Sequence, residues 1–294
     1  MNSEYKSWRI GGHVIFLLIS AACIIPFIFL IQASLTDEQE IMRSGFSMFP
    51  AHYSLEAYRY LWNSSSEILR SYGITIFVTI VGTAVSLTMT ALLAYPLSRR
   101  DYPARNVIAF AVFFTLLFNG GLVPSYLVYT QMLHIKNTIW ALIVPGLLMN
   151  GFNVMLMRTF FLTSIPMPII ESAKIDGAGE WRTFGSIILP LSMPILATVG
   201  LFQTIAYWND WNNGLIYLTD SKLYGIQSLL NRILTDTQFL SSSSFGADPT
   251  LLQSAPIETV KMAIAVIGVI PILIAYPFFQ KYFVKGIVVG AVKG

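Results

Sequence analysis

Residues 165–190 read IPMPIIESAKIDGAGEWRTFGSIILP, an ordered segment set between two long apolar stretches. Pro166 and Pro168 suit a helix start, where a missing N–H costs nothing. Glu171 is then expected in the first turn, where the helix dipole favours an acid. Ile170, Ala173 and Gly177 fall at i, i+3 and i+7, which puts small and apolar residues on one narrow face. Gly177 and Gly179 break the helix after about two turns. A second short helix is expected from Glu180 to Ser186, carrying Trp181 and Phe184, before Pro190 opens the next apolar stretch. The result is a compact knob with an acid and an aromatic outward. An amphipathic connector lying on a membrane surface is the plainer alternative.

The surroundings say what the knob interrupts. Of 294 residues, 55% are hydrophobic and 11% charged, against about 25% charged in soluble domains. A bilayer core of about 30 Å takes about 20 apolar residues as helix, and six segments qualify: about 13–33, 73–97, 107–129, 138–161, 191–218 and 259–284. The third is interrupted at Asn119-Gly120-Gly121. Strands would need short alternating segments, and none is present. The fold class is therefore an all-α polytopic membrane protein, one membrane domain over 1–294 with an inside loop at 162–190. The first stretch is long and lacks a small-residue cleavage site, so it reads as a retained span.

The larger share of Lys and Arg falls inside if the N-terminus is cytoplasmic. The bias is sharpest at Ser98–Arg105, where Arg99, Arg100 and Arg105 follow a span directly, so both termini are expected inside. Three outside segments follow. Residues 34–72 carry Asp37, Glu38, Glu40 and the aromatics Tyr58, Tyr60 and Trp62. Residues 119–137 are re-entrant or interfacial, and 219–258 include the Ser241–Ser244 run and Asp248-Pro249. Such loops suit a soluble docking partner or are solvated connections.

Several classes fall away. The net charge of +3 and the lack of a basic arm give no grip on nucleic acid. Cys23 stands alone, and His13, His52 and His134 are scattered, so no disulfide framework or metal site is inferred. No G-x-x-x-x-G-K-[ST] loop is present to cradle ATP phosphates.

Polar residues inside spans usually face a cavity or another helix. Gly146, Asn150, Asn153 and Met157 lie at i, i+4, i+7 and i+11 in span four. Gln203, Tyr207, Asp210 and Gly214 form a comparable face in span five, with Trp208 and Trp211 alongside. Amides, an acid and indole rings suit the hydroxyls and flat C–H faces of sugars, so these residues are the candidate solute path. Packing between helices explains the asparagines equally, and an interfacial aromatic belt explains the tryptophans.

The knob resembles the EAA loop of ABC-importer permeases, in which Glu-Ala-Ala is followed by Gly and then by Ile-x-Leu-Pro. Glu171, Ala173, Gly177, Ile187, Leu189 and Pro190 stand at the family's spacing, and Ser172 replaces the usual Ala. Lys174–Ala178, Leu189–Pro194 and the tail Val284–Gly294 look like carbohydrate-type permeases, similar to the second permease of maltose-type transporters. Asn119–Pro124 and the long last outside loop resemble the oligosaccharide branch.

The resemblance implies the type I permease fold in the cell membrane, with Glu171, Ser172, Ala173, Asp176, Gly177, Ile187, Leu189 and Pro190 coupling to the ATPase. It implies a second, different permease chain, two ATPase subunits that use the ATP, and an extracytoplasmic binding protein that delivers a carbohydrate. This chain then binds no cofactor and performs no catalysis. Two rivals have weaker support: a permease for a non-sugar solute, and a membrane-embedded enzyme, which would need acids or nucleophiles converging at one depth. A secondary transporter should show inverted repeats, and none is visible.

Overall fold

The structure, a computed structural model, describes residues 3–63, 65–242 and 257–291. The described residues are helical, with an isolated bridge between Thr36 and Tyr53 as the β-type pairing among them. They group into two compact units, Met1–Ser66 with Leu230–Pro271, and Glu67–Leu229 with Ile272–Gly294. Ser243, Ser244, Asp248, Pro249 and the last three residues of the tail lie outside the described residues.

In the first unit, α1 (Ser3–Ser34) leads to α2 (Glu38–Ser44) and α3 (Glu56–Asn63). Ile15, Phe16, Leu17, Leu18 and Ile19 are consecutive and all exposed. A helix apolar all round needs lipid or another chain to cover it. The Glu40 carboxylate accepts from the amides of Ala51 and His52, both at 2.7 Å, closing the loop after α2. Glu38 accepts from the amides of Glu258 and Thr259 at 2.8 and 2.9 Å, and from the Thr259 hydroxyl at 2.7 Å. It thereby caps the helix Ile257–Ala291, called α15 below, whose first amides have no partner within the helix.

The second unit contains most of α4 (Ser65–Ser98), then α5 (Arg105–Leu117), α6 (Leu122–Leu127) with a π turn Val128–Met132, and α7 (Trp140–Ile143). After these come α8 (Gly151–Ser164), α9 (Met167–Ile175), α10 (Glu180–Thr183), α11 (Leu189–Leu191), α12 (Met193–Trp208) and α13 (Asn212–Tyr217). The last, α14 (Ile226–Ser242), begins here. Among the described residues, Arg9–Ser34 and Ser65–Ser98 are single helices long and apolar enough to cross a membrane alone. Arg105–Leu117 and Leu122–Met132 meet at 114°, the interruption expected at Asn119-Gly120-Gly121.

Spans four and five are not the continuous helices expected. Over 138–161, α7 has four residues and the chain does not resume as helix until Gly151. Pro145 disfavours helix in the residue before it, Gly146 takes φ +69°, and Asn150 caps α8 by accepting from the amides of Phe152 and Asn153. Gly146 and Asn150 therefore precede the helix that carries Asn153 and Met157, and the expected four-residue face does not form. Span five breaks at 209–211, because Asp210 Oδ1 accepts from the Asn213 amide at 3.1 Å and starts a new helix. Gln203 and Tyr207 thus lie on one helix and Gly214 on the next, with Asp210 between them.

Candidate functional site

The knob folds as two short helices on either side of a turn. Helix α9 begins at Met167 with Pro166 as its cap, so Glu171 is its fifth residue and stands beyond the first turn where the sequence put it. Gly177, at φ +76°, reverses the chain after α9. A side chain there would be strained although nothing crowds the site, because that backbone region is open chiefly to glycine. The second helix also runs on further than expected. α10 continues through a π turn, Phe184–Ile188, into α11. The bend of 80° comes at Ser192, and the next long helix opens at Met193 rather than at Pro190.

The faces divide as the spacing implied for Ile170 and Ala173 but not for Gly177. Ile170 and Ala173 are buried, while Glu171, Ser172, Asp176 and Trp181 are exposed. Gly177 is exposed and beyond the helix, so it does not continue the Ile170–Ala173 face. Ser172, Ala173, Asp176 and Ile187 line one hollow of about 270 Å³ with Arg182 at its edge. Leu189 is half-buried and Pro190 exposed. Ile170, Phe184 and Ile188 reach into a core shared with Ala91, Ala94 and Leu97 of α4, Val154 and Met157 of α8, and Val199 of α12.

A charge cluster joins the knob to the end of α4, and sequence reasoning missed it by reading Arg99 for orientation alone. Arg99, 6% exposed, donates through Nε and Nη2 to the two oxygens of Asp101 at 3.1 and 3.0 Å. Lys174, at the end of α9, donates to Asp101 Oδ2 at 2.7 Å. Glu180, opening α10, lies 3.6 Å from Lys174 and 3.7 Å from Arg99, and accepts from the Tyr95 hydroxyl at 2.6 Å. Hydrogen bonds from Arg99 and then Lys174 hold the Asp101 carboxyl well below the usual carboxylate range. The Asp101 bond in turn raises the Arg99 pKa. A pocket of about 440 Å³ opens beside the cluster, walled by Leu92, Pro96, Tyr102 and Trp181. The Arg99-x-Asp101 pair directly after a span, with Lys174 and Glu180 flanking the glycine turn, was the available signal.

The candidate path residues have a second arrangement. Tyr207 donates to the Ile143 carbonyl at 2.9 Å, Asn213 to that of Pro145 at 3.0 Å, and Gln203 to that of Leu147 at 3.0 Å. Gln203 also donates to the Ser86 hydroxyl. All three donors are buried, and they meet alternate carbonyls, the last of α7 and two of the unwound segment that follows it. Buried backbone groups outside helices must find partners within the protein, and here side chains of α12 and α13 supply them. Sequence reasoning placed Gln203 and Tyr207 correctly on one helix but missed Asn213. Asn153 and Trp208 are also buried, the Trp208 ring lying 6.4 Å from that of Tyr72. Asn150 and Trp211 are exposed.

Long apolar helices, an internally braced break and an ordered knob are the build of an integral membrane protein. The family model described as "binding-protein-dependent transport system inner membrane component" matches residues 106–289, and the chain belongs to that family. It is a transport subunit of the membrane and not itself an enzyme.

Two relatives come from Bacillus subtilis (strain 168). The polygalacturonan/rhamnogalacturonan transport system permease protein YtcP is 41% identical over 281 residues, covering 95% of each chain. Protein LplC is 40% identical over 277 residues, covering 94% of this chain and 91% of its own. A crystal structure of a bacterial ABC transporter that imports the acidic polysaccharide alginate contains a chain of similar fold. It has a TM-score of 0.79 and 28% identity, covering 96% of this chain and 99% of that one.

Proposed function

We propose that this chain forms half of the translocation path of a carbohydrate importer, with an oligosaccharide or polysaccharide fragment as solute. The names of YtcP and of the alginate transporter support the solute class. The observation that carries the coupling role is the knob, two helices hinged at Gly177 with Glu171, Ser172 and Asp176 outward. In this reading Glu171 meets a basic residue of an ATPase subunit, and Ser172, Ala173, Asp176, Ile187, Leu189 and Pro190 shape the surface it enters. Two ATPase subunits, a second and different permease, and an external binding protein complete the transporter, and ATP is used by the ATPases alone.

The chain acts as one permease domain with six crossings and both termini cytoplasmic, its fourth and fifth crossings broken within the membrane. The solute path follows those breaks. Exposed Asn150 and Trp211 border it, Asp210 lies at the break, and Asn153, Gln203, Tyr207 and Trp208 form its wall.

The test is uptake and ATP hydrolysis by the transporter reconstituted with its ATPase and binding protein. Glu171→Lys and Gly177→Val should insert normally yet separate hydrolysis from uptake. Wild-type uptake in both variants would reject the coupling role.

A further inference from the structure

The glycine turn that lets the knob form is closed locally by backbone bonds alone, the Gly177 amide donating to the Lys174 carbonyl at 3.0 Å and the Ala178 amide to that of Ala173 at 2.9 Å. Residues 176–179 join α9 to α10 with Gly177 in a left-handed conformation. The apolar core grips the knob elsewhere, through Ile170 early in α9 and through Phe184 and Ile188 after α10. A push delivered to α9 would dissipate in such a turn unless something bridged it.

We propose that Arg99, Asp101, Lys174, Glu180 and Tyr95 form a latch that closes the glycine hinge and fastens both knob helices to the inner end of α4. The proposal rests on the reading of the knob as the ATPase socket. The geometry is specific to this task. Lys174 lies just before the hinge and Glu180 just after it, and the two are 3.6 Å apart. Both meet groups fixed at the end of α4: Asp101 takes Lys174 at 2.7 Å, and Tyr95 gives Glu180 a hydrogen bond at 2.6 Å. Arg99 is the centre, bonded to Asp101, 3.7 Å from Glu180 and over the Tyr95 ring at 5.8 Å.

Isolated exposed ion pairs contribute little. Here a buried guanidinium organises the cluster, and each remaining member touches at least two others. Linked charges of this kind are coupled rather than additive. Arg158 adds a tether from α8, its Nε donating to the Leu97 carbonyl at the end of α4 at 3.0 Å. With the latch closed, α9, α10 and the end of α4 move together. With it open, α9 pivots at Gly177 and the motion is lost before it reaches α4.

The test uses Lys174→Gln, which removes an exposed cation and leaves Arg99 paired, and Asp101→Asn, which weakens the centre. In the reconstituted transporter both should retain their ATPase subunits and hydrolyse ATP, while solute moved per ATP falls by about three- to tenfold. Lys174→Arg should restore it. A second readout needs no ATPase. With Cys23→Ser as background, spin labels at Ile175→Cys and Arg182→Cys report the distance across the hinge, which should broaden when Asp101→Asn is added.

Unchanged solute per ATP, or an unchanged narrow distance distribution, overturns the latch. Loss of the ATPase subunits from Lys174→Gln also overturns it, since the cluster would then serve docking and not transmission. Failure of the socket reading shows separately, as Glu171→Lys that remains fully coupled.

Discussion

Tyr207 shows how a single side chain can brace a backbone from across the fold. Its hydroxyl pairs the Ile143 carbonyl, and its ring occupies space left by Gly82 of α4, where an added Cβ would stand 2.6 Å from the ring. Glycine at 82 is thus required by close approach rather than by backbone shape. Gly82→Ala should lower the thermal stability of the purified protein by about 1–3 kcal/mol, the usual cost of overpacking. Tyr207→Leu removes the ring that clashes but strands a carbonyl, itself costing about 1–3 kcal/mol. The double variant should therefore lose less than the sum of the two singles, and strict additivity in thermal unfolding would refute the contact.

At the scale of elements, α15 illustrates an end fixed from a distance. Its first amides are met by Glu38, more than 200 positions away in the chain. Glu38→Ala should raise hydrogen exchange at the amides of 258–260, with Glu38→Gln intermediate because an uncharged oxygen still accepts. Equal exchange in all three proteins would show that the cap is idle. Such long-range pairs explain what the sequence could and could not reveal. The knob was legible because prolines, glycines and an apolar face act within a few residues, and the α6 turn because two glycines announce it. The breaks in spans four and five were not. Pro145, Gly146 and Asp210 are visible breakers, yet whether a break survives in lipid depends on donors such as Gln203, Tyr207 and Asn213 that only folding brings across. The charge cluster was legible only in halves, the Arg99-x-Asp101 pair and the Lys174 and Glu180 flanks of the glycine turn, since nothing along the chain joins residue 99 to residue 180.

For the whole molecule, the six-crossing reading makes one prediction about sidedness. With Cys23→Ser as background, single cysteines at the exposed positions Arg100 and Ile175 should react with an impermeant thiol reagent only from the cytoplasmic side. Cysteines at the exposed Lys136 and Lys222 should react from outside. The reverse pattern would invert the orientation, and reaction of all four from one side would break the crossing count. The unwound stretch between α7 and α8 has a consequence for how such a protein can change over time. The carbonyls of Ile143, at its edge, and of Pro145 and Leu147 within it are anchored by α12 and α13, and the exposed Met149 side chain takes no part in that brace. The outward contour can therefore be retuned at Met149, while the hydrogen-bonded frame and the packed Leu147 and Leu148 beneath it stay in place.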